Sequence, residues 1–158
     1  MANDIYLKID GVEGECNHAN AEKQIQLLSW KCGVSNASSA GDNGGHGVGK
    51  AEPHLLEFTH LYDKAAPVLM RHCASGKHLA SVKLSVCKAG GEQKEYLSIT
   101  LKNAFVTHVS HECLPDKTIG IVRLAYEEIE HEYKPQDKEG NPQGAIKAGW
   151  NITTTKTH

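Results

Sequence analysis

The 158-residue chain lacks any run of about 20 apolar residues, the length a membrane-spanning helix needs, so no helical membrane insertion is expected. Its opening, MANDIYLKIDG, has neither a basic region nor an apolar stretch of signal-peptide length, which predicts that it bypasses the general secretion route. An excess of one charge is also missing. The 17 Lys and Arg stand against 19 Asp and Glu, and a formal net charge of -2 offers no general attraction to nucleic acid or acidic membrane. No Cys-x-x-Cys pair occurs among the five cysteines, Cys16, Cys32, Cys73, Cys87 and Cys113. Odd in number and scattered, they suit free thiols in a chain folded in the cytoplasm.

What is present suffices for one core. Hydrophobic residues make up 39% of the chain, and residues 1–158 read as a single domain. The dominant pattern has period two, the mark of half-buried strands. Ile5, Leu7 and Ile9 alternate with Tyr6 and Lys8. Ile25 and Leu27 hold one parity, and Leu28, Trp30, Cys32 and Val34 the other, which predicts a β-bulge near Leu27 and Leu28. Leu56, Phe58 and His60 form another strand, and Val82, Leu84 and Val86 the next, with Cys87 on its polar face.

The two longest alternating runs, over 96–110 and from Val122 through Tyr133, predict one long bent antiparallel hairpin. A last strand is expected over 145–155, where the threonines favour extended structure. The predicted interior comprises Ile5, Leu7, Trp30, Phe58, Leu84, Leu97, Ile99, Leu101, Phe105 and Leu124. One short helix is expected, with Asp63 as N-cap, Pro67 in its first turn and Gly76 as its stop. The fold class is therefore mainly β, a barrel or sandwich with one helix. Residues 35–53, rich in glycine, form a long extended loop with almost nothing to bury.

Several patterns invite chemistry. The stretch Gly44-Gly45-His46-Gly47-Val48-Gly49-Lys50-Ala51 nearly matches a phosphate-cradling loop. That mechanism, however, needs a hydroxyl after the lysine and a helix beyond it, and Ala51-Glu52-Pro53 supplies neither. His108, His111 and Cys113 lie close in sequence, yet positions 108 and 111 on one strand point to opposite faces. Glu128, Glu130 and Glu132 share a face, where a solvated row is simpler than a pair of catalytic carboxylates. Cys32 belongs with the core, and no local pattern marks it as a nucleophile. No catalytic residue, cofactor or metal site is expected, and the chain reads as a non-enzyme.

Ordered blocks along the chain carry a family resemblance: D-I-Y-L-K-I-D-G-V-E-G-E, I-Q-L-L-S-W-K-C-G-V-S-N, the Gly-rich loop ending in G-K, F-T-H-L-Y-D-K-A-A-P-V-L-M, A-S-G-K-H, V-C-K-A-G-G, Y-L-S-I-T-L-K, E-Y-K-P-Q and G-W-N-I. Together they resemble Hcp, the haemolysin-coregulated protein of bacterial type VI secretion. The resemblance implies a two-sheet β-barrel with one flanking helix, closed into a homohexameric ring. It also implies rings that stack into the inner tube of a contractile injection machine. The implied partners are further rings, a spike-tip protein, the contractile sheath and small effector proteins held in the channel. Such a protein waits in the bacterial cytoplasm and is then fired out of the cell or into a target cell without a signal peptide.

The resemblance also suggests roles for particular residues. Ser29, Lys31 and Gly33 would line the channel, while Asp42, Asn43, His46, Val48 and Lys50 would belong to an inter-ring arm. Lys31 and Cys32 stand where the family pattern leads one to expect a small hydroxyl residue and an aromatic. Six copies of Lys31 would form a cationic girdle suited to acidic or polar cargo; the alternative is a lysine that simply reaches into solvent. A monomeric β-barrel carrier of a small apolar ligand is the competing functional class.

Overall fold

Alternating side chains become strands throughout the computed structural model, which describes residues 2–36, 50–90 and 93–158. In chain order these are β1 (Asn3–Ile9), β2 (Ile25–Lys31), β3 (Val34–Asn36), β4 (Ala51–Pro53), β5 (Leu56–Leu61), the helix α1 (Ala65–Ser75), β6 (His78–Lys88), β7 (Glu95–Cys113), β8 (Thr118–Tyr133), β9 (Ile146–Asn151) and β10 (Lys156–Thr157). Hydrogen bonding runs β8–β5–β2–β1–β6–β7 and returns from β7 to β8, so six strands close on themselves. Closure leaves no free barrel edge to solvent. β8 is longer than the strand beside it: residues 119–124 pair with β5, and 128–133 pair with β9. β9 and β10 therefore form a flap outside the closed barrel. β3 and β4 pair with each other as a separate small sheet.

The inward parity fills the barrel. Leu7, Ile25, Phe58, Leu84, Ile99, Leu101 and Leu124 are fully buried, and burying each aliphatic or aromatic side chain is worth roughly 1.5–3 kcal/mol. The predicted bulge is present. Leu27 pairs with His60 and Ser29 with Thr59, leaving Leu28 as the extra residue, pushed outward. Trp30 and Cys32 then pack against the core, but Val34, expected beside them, is 60% exposed because β2 has ended and the chain has left the barrel wall.

A second parity change corrects another expectation. Leu101 and Ala104 are both buried, as are Leu79 and Val82 on the paired strand. Each pair is three residues apart, so both strands turn the same corner, and Asn103 there takes a left-handed φ of 48°. Asparagine tolerates that conformation better than most residues. Phe105 consequently points out of the interior, beside the His78 ring at 5.5 Å.

The opposite face of β1 is not open to water as the alternation implied. Residues 10–24 fold back over it, tied by hydrogen bonds such as Cys16 N–H to Gln24 O (3.1 Å). Tyr6, Cys16, Ala21 and Cys87 form a second buried cluster. Cys87 thus lies away from the main core but is still buried, and burial pushes its thiol pKa up.

Helix α1 stops at Gly76 as the sequence marked, but its N-cap position is Lys64, one residue after the expected Asp63, whose side chain still reaches the first turn. Asp63 Oδ1 accepts the Ala65 N–H at 3.0 Å, and Gly76 ends the helix with a left-handed φ of 67°. Leu69 and His72 are buried, and the helix lies against β7. The threonine-rich end of the chain is a turn over 152–155, not strand. Asn151 Oδ1 accepts the Thr154 N–H at 3.0 Å, and β10 returns along β9.

Candidate functional site

The outward parity of β2, β5 and β8 builds a polar face. Across it Ser29 stands opposite Thr59, and Thr59 opposite Ile121; one repeat further, Lys31 stands opposite Glu57, and Glu57 opposite Arg123. Lys31 Nζ reaches Glu57 Oε2 at 3.1 Å, while Arg123 Nε donates to Glu57 Oε1 at 2.8 Å. One carboxylate therefore bridges two cations. The Arg123 hydrogen bond foremost, and then that of Lys31, holds the Glu57 carboxyl below the usual carboxylate range. The Lys31 side chain is 76% exposed, Arg123 45% and Glu57 only 19%. Ser29 is exposed as well. Sequence reading found Lys31 and Ser29 but missed Glu57 and Arg123, whose connection depends on strand register.

Gly33 does not share that open face. It is half-buried under His54, and a Cβ there would come within 2.9 Å of His54 Nδ1. His54 is held on several sides. Its N–H donates to Gly33 O at 2.8 Å, its Nε2 meets Ser35 Oγ at 2.6 Å, and Tyr126 Oη donates to its carbonyl at 2.8 Å. Burial pushes the Tyr126 hydroxyl up to about 12. These contacts anchor the base of an arm in which Val34 pairs with Pro53, Ser35 with Glu52 and Asn36 with Ala51. Lys50 is exposed just ahead of β4. Asp42, Asn43, His46 and Val48 lie outside the described residues. Ala51 enters a strand, so the helix that a phosphate-cradling loop requires does not follow it.

Two apolar hollows flank the arm. One, of about 280 Å³, is lined by Cys32, Val34, Tyr126, Ile129 and Trp150 among others. The other, of about 450 Å³, shares Val34 and Trp150 and adds Ala51 and Ile152. The sequence signal for this surface is the apolar parity of Val34, which by itself predicts a core position.

The remaining candidate chemistry has plain structural partners. Cys32 is packed and its thiol is pushed up by burial, the reverse of an activated nucleophile. His108 pairs with Arg123 and His111 with Gly120, with the irregularity falling before His108, so the two histidines take opposite faces. Among the described residues no group of three or more His, Cys, Asp or Glu is placed to hold a metal ion. In the glutamate row, Glu128 meets His158 Nε2 at 3.1 Å, and Glu132 meets Lys147 at 3.6 Å and Lys134 at 3.8 Å.

Known proteins share both this sequence and this architecture. The model of the family described as type VI secretion system effector, Hcp, matches residues 6–133. Protein hcp1 of Pseudomonas aeruginosa is 40% identical over 156 residues, covering 96% of each chain. Hcp1 from Salmonella typhimurium superimposes with a TM-score of 0.83 at 32% identity, covering all of both chains. A further structure, described as a type six secretion system protein, gives a TM-score of 0.93 at 26% identity, covering 99% of this chain and 100% of that one. A family pattern across most of the barrel, a relative matched nearly end to end and a common fold lead to one conclusion: this chain belongs to the Hcp family of the type VI secretion system.

Proposed function

We propose that the chain is a structural, non-catalytic subunit of the type VI secretion tube. It closes into homohexameric rings, the rings stack, and small effector proteins ride in the channel. The tube is assembled in the bacterial cytoplasm inside the contractile sheath and leaves with the spike tip, out of the cell or into a target cell. The observation that carries this reading is family membership along nearly the whole chain.

The geometry supports it from two sides. The barrel interior is occupied by Leu7, Phe58, Leu84, Leu101 and Leu124, which argues against a small-ligand carrier. The chain's distinctive surfaces instead point outward: a charged face on β2, β5 and β8, and the β3–β4 arm. A stacking ring needs two heterologous contacts, one that closes the ring and one that joins rings. The arm, with Asp42, Asn43, His46, Val48 and Lys50, serves the second. Ser29 and Lys31 line the channel, while Gly33, between β2 and β3, lies beneath His54, and Lys31 favours acidic or polar cargo.

Light scattering coupled to gel filtration tests the ring: a mass about six times 17.2 kDa is expected, and a clean monomer at micromolar concentration overturns it. Lys31→Glu tests the channel assignment. Cargo recovery on purification should be lost with rings intact, whereas undiminished cargo would rule the assignment out.

A further inference from the structure

We propose that Glu57 is an internal stand-in for a partner's carboxylate, and that Arg123 and Lys31 together take acidic side chains of the partner by displacing it. The proposal rests on the reading that the β2–β5–β8 face meets cargo, and it adds Arg123 and Glu57 to that face as the residues that set its specificity.

The three side chains are consecutive neighbours across three strands. Adjacent strands lie about 4.8 Å apart, which lets the two cations flank one central carboxylate, Lys31 on Oε2 and Arg123 on Oε1. Each cation is only partly used. Arg123 meets Glu57 through Nε, which leaves the terminal guanidinium edge, with 45% of the side chain exposed, for a second carboxylate in bidentate geometry. Lys31 commits one contact at 3.1 Å from an ammonium with three donors, on a side chain that is 76% exposed. Glu57 sits lower than both, at 19% exposure, and its depressed pKa keeps it ionised, so it competes for the two cations but cannot cancel them.

The nearby carboxylates dilute this small cationic patch little: Glu127, two outward repeats along β8, accepts from Asn103 Nδ2 at 2.6 Å. Ser29, Thr59 and Ile121 carry no charge. Glu112, the next carboxylate on this parity of β7, pairs with Ile119, two outward repeats from Arg123. Two cations flanking one carboxylate match an acidic protein segment. A nucleic-acid strand requires a longer continuous track of positive charge, and the chain as a whole is net negative.

An internal competitor makes a prediction that a merely structural ion pair does not. Removing the Glu57 charge should strengthen binding, because both cations are released. The probe is a fluorescein-labelled oligoglutamate peptide, titrated by anisotropy against the purified full chain at low ionic strength. Glu57→Gln should bind roughly two- to fivefold more tightly than the wild type, and Arg123→Gln and Lys31→Gln should each bind weaker by a similar factor. Added salt should weaken every complex.

No gain in Glu57→Gln, an unchanged Arg123→Gln, or equal binding of a single-stranded oligonucleotide of matched charge would overturn the proposal. Lys31 and Arg123 are exposed, so their Gln variants keep the test valid if Glu57→Gln folds poorly. Light scattering on the same samples separates the two readings. Intact hexamers that ignore the peptide refute the carboxylate site alone, whereas monomers that bind it refute the ring alone.

Discussion

Gly120 on β8 lies so close to His60 on β5 that a Cβ at position 120 would stand 2.6 Å from His60 Nε2 and 3.1 Å from its Cδ2. The two are register partners, and His60 is entirely buried with its ring 5.7 Å from that of Phe58. Its Nδ1 lies 3.6 Å from Asp63 Oδ1, the same oxygen that accepts the first N–H of α1. One close approach thus couples the barrel wall to the start of the helix.

Gly120→Ala should therefore destabilise the protein by about 1–3 kcal/mol, since the imidazole it meets is entirely buried and packed against Phe58. Urea denaturation measures this. Combined with His60→Ala, the alanine at 120 should cost distinctly less, because the collision is then gone. Equal costs in both backgrounds would show that the contact does not matter.

Tyr126 gives a test at alkaline pH. Its hydroxyl is pushed up to about 12 from an ordinary 10.0, by burial foremost. In the unfolded chain this phenol deprotonates near 10, so between the two values the unfolded state binds fewer protons and stability falls as pH rises. Tyr126→Phe should lose about 1 kcal/mol at neutral pH with the hydrogen bond to the His54 carbonyl, and should flatten the decline above pH 10. A phenolate absorbance titration should also lack the latest step in the variant.

His72 contributes to the response on the acid side, together with His131, whose pKa burial also lowers. Burial foremost, and then Lys77 and Arg71, holds the His72 pKa below the ordinary 6.5. The unfolded state takes up a proton near that value while the folded state resists. Stability is therefore full above 6.5 and falls as pH drops through the window just beneath it. Melting measured at about pH 7.5 and about pH 5.5 should show a smaller loss for His72→Leu than for the wild type. Equal losses would place the acid sensitivity elsewhere.

Gly33→Ala separates arm from barrel. The added Cβ meets a side chain, His54, so the ring can shift, and the barrel should lose no more than about 1 kcal/mol. The shift disturbs the contacts of His54 with Ser35 and Tyr126 at the base of the β3–β4 arm. On the proposed function, hexamers should persist while stacking into tubes at high concentration is reduced, as seen by electron microscopy. Unaltered tubes would argue that the geometry of the arm base is irrelevant to stacking.

Much of the fold was legible because its causes are local. The alternation of Leu56, Phe58 and His60, the parity slip at Leu27 and Leu28, and the Gly76 end of α1 all rest on a few consecutive residues whose backbone and side-chain requirements are self-contained. The ordered family motifs were equally readable, since they span the chain without needing its shape. What stayed hidden depended on distant partners. Tyr6 and Cys87 are buried because residues 10–24 fold over them; Phe105 turns outward because two strands share a corner; Val34 is exposed because the wall it would have joined has ended. Arg123 and Glu57 are 66 residues apart, and only the pairing of β5 with β8 makes them one site. A sequence by itself determines which face of a strand is apolar, because that is a property of the strand. Only the tertiary structure decides what each face meets, because burial and charge pairing belong to both partners at once.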